Sequence, residues 1–270
     1  MTCLGSWLNQ HQDLERLDRE LLICEAMRMT RAQVLARPET PLPEAARRDL
    51  NEWASRLRDG EPRAYLLGRR EFWGLTLNVC DAVLIPRPET ELLVELALAQ
   101  IRPGDRVLDL GTGSGAIAIA VASGASAAGG TIQVTGSDNS MAALAVASEN
   151  GRALGTQVRW ISSNWFDALP GPYELILSNP PYVAENDPHL AALGHEPQAA
   201  LTAGPDGLDA IRDIVPDALQ RLSSGGWLML EHGYQQGDQV RRLMQQAGLI
   251  AIETLTDLAG HERVTRGRRA

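Results

Sequence analysis

Asn179-Pro180-Pro181-Tyr182 concentrates more potential chemistry than any other four residues of the chain. It follows Tyr173 to Leu177, an apolar run that reads as a strand. Two consecutive prolines fix φ and remove two backbone donors, so the ladder stops and the turn is stiff. A stiff turn holds the Asn179 side-chain amide, with one acceptor and two donors, and the Pro180 carbonyl at set positions. Two such acceptor oxygens suit a planar NH2 group, whose delocalised lone pair is a poor nucleophile. Accepting both N–H groups favours a pyramidal nitrogen with its lone pair aimed at an incoming methyl. Tyr182 is expected to stack on the flat group. Given an activated methyl donor, the remaining work is orientation, worth up to ~7–11 kcal/mol. No metal, nucleophile or strong base is required. Taken alone, the tetrapeptide also reads as a tight turn, and its weight comes from what precedes it.

Upstream, Asp109-Leu110-Gly111-Thr112-Gly113-Ser114-Gly115 ends one strand and opens a helix. Glycines let a backbone approach a ligand closely, and open α/β sheets bind ligands at the carboxyl ends of their strands. The spacing is Gly-x-Gly-x-Gly, not the dinucleotide pattern Gly-x-Gly-x-x-Gly. Asp109 beside the loop is expected to repel a pyrophosphate and to attract the ammonium of a methionyl group, directly or through water. That points to S-adenosylmethionine, with S-adenosylhomocysteine as product. The next strand ends in Asp138, whose carboxylate suits both ribose hydroxyls. Trp165 and Phe166 follow the third strand, and either packing on adenine or ordinary core packing fits them.

These segments need a scaffold, and the pattern supplies one. From residue 105 onward strands and helices alternate, which implies a mostly parallel sheet with helices on both faces. The strands expected are 106–110, 131–137, 157–161, 173–177, 227–231, 250–255 and 263–266; the helices are 92–101, 116–123, 141–154, 208–222 and 235–247. Ala122 to Gly130, rich in Ala, Gly and Ser, reads as a loose loop. Residues 1–70 read as a separate helical domain: Leu14, Leu17, Leu21 and Leu22 recur at helical spacing, as do Leu50, Trp53 and Leu57. Phe72 to Val79 alternates and is rich in β-formers, so 71–84 reads as a hairpin linker to a third segment, 85–270.

A net charge of −9 over 270 residues argues against a protein that grips a nucleic-acid backbone. No run approaches the ~20 apolar residues that span a bilayer. The start, Met1 to Gln10, lacks the features of a signal peptide. The three cysteines form no Cys-x-x-Cys pair, and the five histidines have no metal-ligand spacing. The expectation is a cytoplasmic monomer with reduced thiols, no metal, no membrane and no stable nucleic-acid partner.

Several further segments carry a resemblance. Asn179 to Tyr182 looks like the signature of class I methyltransferases acting on planar nitrogens. The surrounding motifs narrow it: Gly60-Glu61-Pro62 with Tyr65-Leu66, Glu71-Phe72-Trp73-Gly74, and Ile85-Pro86-Arg87-Pro88-Glu89-Thr90-Glu91. Glu196-Pro197, Gly204-Pro205-Asp206-Gly207-Leu208 and Leu230-Glu231-His232-Gly233 complete the set. From about residue 10 to the end the chain resembles the peptide chain release factor glutamine methyltransferase family. The resemblance implies a helical N-terminal domain that recognises the partner, a hairpin linker and a Rossmann-like seven-stranded methyltransferase domain. It implies methylation of the side-chain amide (N5) of the glutamine in the Gly-Gly-Gln motif of release factors.

By match, Gly111 to Gly115, Asp138, Trp165 and Asn179 correspond to cofactor contacts, and Asn179, Pro180, Pro181 and Tyr182 to the glutamine-binding segment. Where relatives often read Ser-Asp-Trp-Phe, this chain reads Ser163-Asn164-Trp165-Phe166; Asn164 still accepts a hydrogen bond from an adenine amino group, more weakly. Glu89 and Glu91 suit a helix start slightly better than the reaction site. Arg87 suits a carboxylate of a partner or of its own fold. The competing readings are an amino methyltransferase for adenine or guanine in nucleic acid, and a binding module without catalysis.

Overall fold

The computed structural model describes residues 2–270, which form two compact units divided after Gly68. The first is helical: α1 (Leu4–Gln10), α2 (Arg16–Met27), α3 (Arg31–Ala36), α4 (Glu44–Arg58) and the single turn α5 (Arg63–Leu66). Local signals set its helix ends. Thr30 and Gln33 form a capping box at the start of α3. α4 starts after Pro43, with Glu44 in its first turn and Arg56 and Arg58 in its last, charges that oppose the helix dipole. Leu4, Trp7, Leu22, Ile23, Val34 and Leu50 fill the core. The expected leucine stripe is only partly apolar packing. Leu14 precedes α2 and Leu17 is 43% exposed. Glu20 is buried on α2 instead, where Arg16 and Arg31 neutralise it.

The second unit opens with a hairpin, β1 (Arg69–Phe72) and β2 (Leu75–Asn78). Trp73 and Gly74 form its two-residue turn, both at positive φ (54° and 69°), a geometry that matches the strand twist. The alternating run read as beginning at Phe72 is therefore broken at Trp73-Gly74, and the first strand lies earlier.

A 3-10 turn (Pro88–Thr90) leads into α6 (Glu91–Gln100). Then follow β3 (Arg106–Leu110), α7 (Ala116–Ala127), β4 (Gln133–Asp138), α8 (Met141–Ala153), β5 (Val158–Ser162) and β6 (Tyr173–Ser178). The remainder is α9 (Asp209–Arg221), β7 (Leu222–Glu231), α10 (Gly237–Ala247), β8 (Ile250–Thr256) and β9 (Glu262–Arg268). The seven strands from β3 onward make one sheet in the order β5-β4-β3-β6-β7-β9-β8. β5 through β7 pair in parallel, and β9 runs antiparallel to both β7 and β8.

Alternation divides the sheet's side chains between two cores. Val107, Leu175, Leu177 and Met229 pack with α6 and α7 on one face. Leu108, Leu110, Ile176, Leu228 and Leu230 pack with α9 and α10 on the other. The order reverses at β3: β4 and β5 extend the sheet to one side, β6 and β7 to the other. The crevice at the carboxyl ends of β3 and β6 is thus the switch point where ligands bind in open α/β sheets.

One segment departs from expectation for a packing reason. The Ala/Gly-rich stretch read as a loop continues α7 to Ala127. A Cβ on Gly124 would sit 2.7 Å from a Leu98 methyl of α6, so the small residues permit close helix approach. Ala is also the strongest helix former.

Candidate active site

Gly111, Gly113 and Gly115 all lie at positive φ (68°, 55° and 84°), which winds the chain tightly from β3 into α7. The three do different work. A Cβ on Gly113 would meet nothing within 4 Å, and one on Gly111 only Trp165 at 3.7 Å. These two present bare backbone to open space. A Cβ on Gly115 would lie 2.9 Å from Trp160 and 3.1 Å from Ala147, so Gly115 lets α7 pack on β5 and α8. Asp138, at the end of β4, ties the loop down: Gly113 N donates to its Oδ2 and Ser140 N to its Oδ1, each at 2.9 Å. Ser140 in turn caps α8 at Ala143 N.

Gly111, Gly113, Asp138, Asn164, Trp165 and Asn179 stand together on the wall of one cavity of about 220 Å3, with Pro181 beside them. Of the two aromatics, Trp165 lines this cavity and Phe166 is buried in the sheet's second core. Ser163 holds the bend at Trp165 (φ 42°), donating to the Trp165 carbonyl at 2.8 Å and accepting from Ala168 N. Val83, Leu84, Ala199 and Ala200 also line the cavity, and none of them carries a sequence signal beyond being apolar.

Asp109, Thr112, Ser114 and Gly115 do not reach that wall. Asp109, expected to attract a methionyl ammonium, lies wholly buried and does not line the cavity, and its Oδ1 has no hydrogen-bond partner. Its Oδ2 accepts from Thr112 Oγ1 at 2.5 Å and from Ala118 N at 3.2 Å, so the acid braces the turn and the first turn of α7. Thr112 is held there by that bond and by N–H donation to the Ser137 carbonyl, while the Ser114 carbonyl accepts from Asn150.

Burial, opposed by those bonds, pushes the Asp109 carboxyl from its usual 3.8 up to about 7. Its contribution to stability is then complete below about 3.8 and is lost as pH rises through about 7. Asp109→Asn, which keeps an acceptor, is expected to gain on the parent across that window, by on the order of a few kcal/mol at pH 8. Thermal unfolding of both proteins from pH 4 to pH 8 checks this; parallel curves would contradict it.

The Asn179-to-Tyr182 turn is clamped from three sides. Asn179 Nδ2 donates to Thr90 Oγ1 at 3.2 Å. Tyr182 OH makes a long contact of 3.4 Å with Glu231 Oε1, and Gln236 Nε2 donates to the Tyr182 carbonyl at 3.0 Å. A smaller cavity lined by Arg87, Pro180, Tyr182 and Val183 adjoins the turn. Asn179 lines both cavities.

Arg87 pairs with Glu196, which also accepts from Ile85 N at 3.0 Å, so its partner is a carboxylate of its own fold. Glu91 accepts from Trp73 N at 2.9 Å and so ties α6 to the hairpin. Burial, with the Glu231 charge beside it, holds the Tyr182 phenol above its ordinary range, so it stays a donor.

Gly207 closes on the turn from outside. Its φ is +74°, and a Cβ there would lie 2.2 Å from the Tyr182 carbonyl oxygen. Gly207→Ala is expected to cost on the order of 2–3 kcal/mol, combining left-handed strain with a backbone clash. Gly104→Ala (φ +91°, nothing within 4 Å) carries the strain alone and is the control. Denaturant unfolding of the two variants should separate them by at least ~1 kcal/mol.

Thr90 and Glu231 support this site through Asn179 and Tyr182, and neither carries a sequence signal specific to such a role. Glu231 ends β7 as Asp138 ends β4, with Asp109 one residue from the end of β3, and that shared place near a strand end is the signal that could have found it. His232 next to it bonds Gly233 and Thr265 and serves the fold. Among the described residues, no group of three His, Cys, Asp or Glu is placed to hold a metal ion.

A seven-stranded sheet of this order, with a bare glycine loop and a strand-end acid facing a stiff Asn-Pro-Pro-Tyr corner, defines a Rossmann-like class I methyltransferase. Residues 88–203 match the Methyltransferase small domain family, and residues 6–68 match the PrmC N-terminal domain. The chain is 46% identical to the release factor glutamine methyltransferase of Xylella fastidiosa, covering 94% of each chain. It is 47% identical to that of Bordetella pertussis, over 94% of this chain and 95% of the relative. A T. thermophilus 16S rRNA methyltransferase, solved with AdoMet and guanosine, shares the fold at TM-score 0.56 and 21% identity. That likeness covers 75% of this chain and 50% of the other. The chain belongs to the release factor glutamine methyltransferase family.

Proposed function

We propose that the protein transfers a methyl group from S-adenosylmethionine to the side-chain amide nitrogen of the glutamine in the Gly-Gly-Gln motif of peptide chain release factors. The observation that carries this reading is the place of Asn179, on the wall common to the glycine-loop cavity and the smaller cavity beside Pro180 and Tyr182. The activity named for the relatives supports it.

The larger cavity fits the donor. Gly111 and Gly113 leave unfilled the space their Cβ atoms would enter. Asp138 keeps lone pairs for two ribose hydroxyls after its two backbone bonds. Trp165 offers a flat apolar face and Asn164 an amide for the adenine edge. When bound, S-adenosylmethionine supplies an electrophilic methyl on a sulfonium and leaves as S-adenosylhomocysteine. Asn179 Oδ1 and the Pro180 carbonyl accept the two N–H groups of the substrate amide and direct its lone pair. Because Asn179 Nδ2 is engaged by Thr90, Oδ1 is the end left for the substrate. Tyr182 flanks the amide plane. One C–N bond forms as the methyl C–S bond breaks, its electron pair staying on sulfur, and one amide proton is released to water.

The helical unit ending at Gly68 is assigned to release-factor recognition, with residues 69 onward carrying catalysis. No helix among the described residues is long and apolar enough to cross a membrane. The protein is read as a cytoplasmic monomer that holds no nucleic acid.

Incubation with tritiated donor and either release factor, DNA or RNA tests the reading. Label should enter release factor alone; label entering only nucleic acid would mean a base amino methyltransferase instead. Removing residues 1–68 is expected to abolish methylation of intact release factor while cofactor binding, read by calorimetry, persists. Undiminished methylation by the shortened protein would refute the recognition role.

A further inference from the structure

Asn179 can serve as an acceptor for substrate only if its side-chain amide is held one way round. Turned by 180°, it would offer the substrate N–H groups a second donor. Among the described residues its side chain makes one hydrogen bond, from Nδ2 to the Thr90 hydroxyl. A hydroxyl accepts there only if its own single proton points elsewhere. Beside Thr90 lies Glu231, 1% exposed: the Tyr182 hydroxyl stands 3.4 Å from its Oε1, its buried Oε2 has no hydrogen-bond partner, and the Thr90 hydroxyl is among the groups that favour its charged form.

We propose that Glu231 is a positioning residue for methyl transfer: as a carboxylate it draws the Thr90 proton, so that Thr90 accepts from Asn179 Nδ2 and locks Asn179 Oδ1 toward the substrate amide. The inference rests on the glutamine methyltransferase reading above. Protonated, Glu231 becomes a donor toward Thr90. The Thr90 proton is then freed to bond Asn179 Oδ1, which favours the unproductive orientation.

The groups facing Glu231 come from three elements. Thr90 and Glu89 belong to the 3-10 turn, Tyr182 to the corner after β6, and Arg263 to β9. Burial raises the carboxyl most, and Glu89 adds to it; Thr90, Arg263 and Tyr182 oppose. The result lies at about 7, so both protonation states are accessible near neutral pH. The ionised form is the competent one, so kcat should rise with pH through this titration.

The test uses the full-length enzyme with release factor as substrate. Thr90→Val, equal in shape but without a hydroxyl, should lower kcat by ~10–100-fold with little change in KM, and Thr90→Ser should restore most of it. Glu231→Gln should remove the rising limb between about pH 6 and pH 8. Asp109, which titrates in the same range behind the glycine loop, is intact in that variant and serves as the internal control. If Thr90→Val fails to bind S-adenosylhomocysteine, and so has not folded, the pH profile of Glu231→Gln decides. Thr90→Val turning over like the parent, or a limb unchanged in Glu231→Gln, overturns the proposal while leaving the methyltransferase reading intact. A parent enzyme inactive on release factor would overturn both.

Discussion

Asn179→Ala is expected to lower kcat for release-factor methylation by about 10²–10³-fold, the loss that follows removal of one preorganised polar group from a transition state. The substitution removes Oδ1, one of two acceptors for the substrate amide, and frees Thr90 from its bond to Nδ2. Asn179 also lines the larger cavity, so affinity for S-adenosylhomocysteine should fall, but by less than about tenfold, the worth of one ordinary hydrogen bond. The diagnostic feature is the split: a large loss in single-turnover rate beside a small loss in calorimetric affinity. Equal losses in both would make Asn179 a cofactor-binding residue only.

Asp138→Ala should show the opposite split. Its carboxylate is assigned two ribose hydroxyls, and charge-assisted bonds contribute about 1.5–3 kcal/mol each. It also accepts from Gly113 N and Ser140 N, so its loss releases the glycine loop and the start of α8 together. Affinity for S-adenosylhomocysteine should weaken by at least about 10²-fold, with kcat at saturating donor reduced far less. Asp138→Asn, which retains one acceptor for Gly113 or Ser140, should fall between. Calorimetry with parent-like affinity in Asp138→Ala would remove Asp138 from the site.

The parts of this fold legible in sequence are those where local chemistry and tertiary role coincide. Alternating strands and helices gave the sheet because β3 and β6, covered on both faces, must be short apolar runs. Asn179 to Tyr182 was legible because two prolines restrict the backbone whatever surrounds it. Where one residue type serves two purposes, the reading diverged from the structure. The small residues of α7 resemble a flexible loop in composition, yet they permit close packing on Leu98. Asp109 and Asp138 look alike as strand-end acids; one turns inward to brace the loop and the other faces the cavity. Side-chain direction at a strand end depends on the twist and on which neighbours arrive, and spacing does not encode it. Thr90 and Glu231 stand 141 positions apart in the chain, and only the fold brings the 3-10 turn near the end of β7.

The central claim is geometric: the Asn179 and Pro180 oxygens hold a glutamine side-chain amide beside the methyl position. A crystal structure with S-adenosylhomocysteine and a peptide carrying Gly-Gly-Gln measures it directly. The account predicts the amide nitrogen at about 3 Å from both Asn179 Oδ1 and the Pro180 carbonyl, with its free face toward the sulfur. An amide bound away from these oxygens, or Asn179 turned from the sulfur, would contradict it.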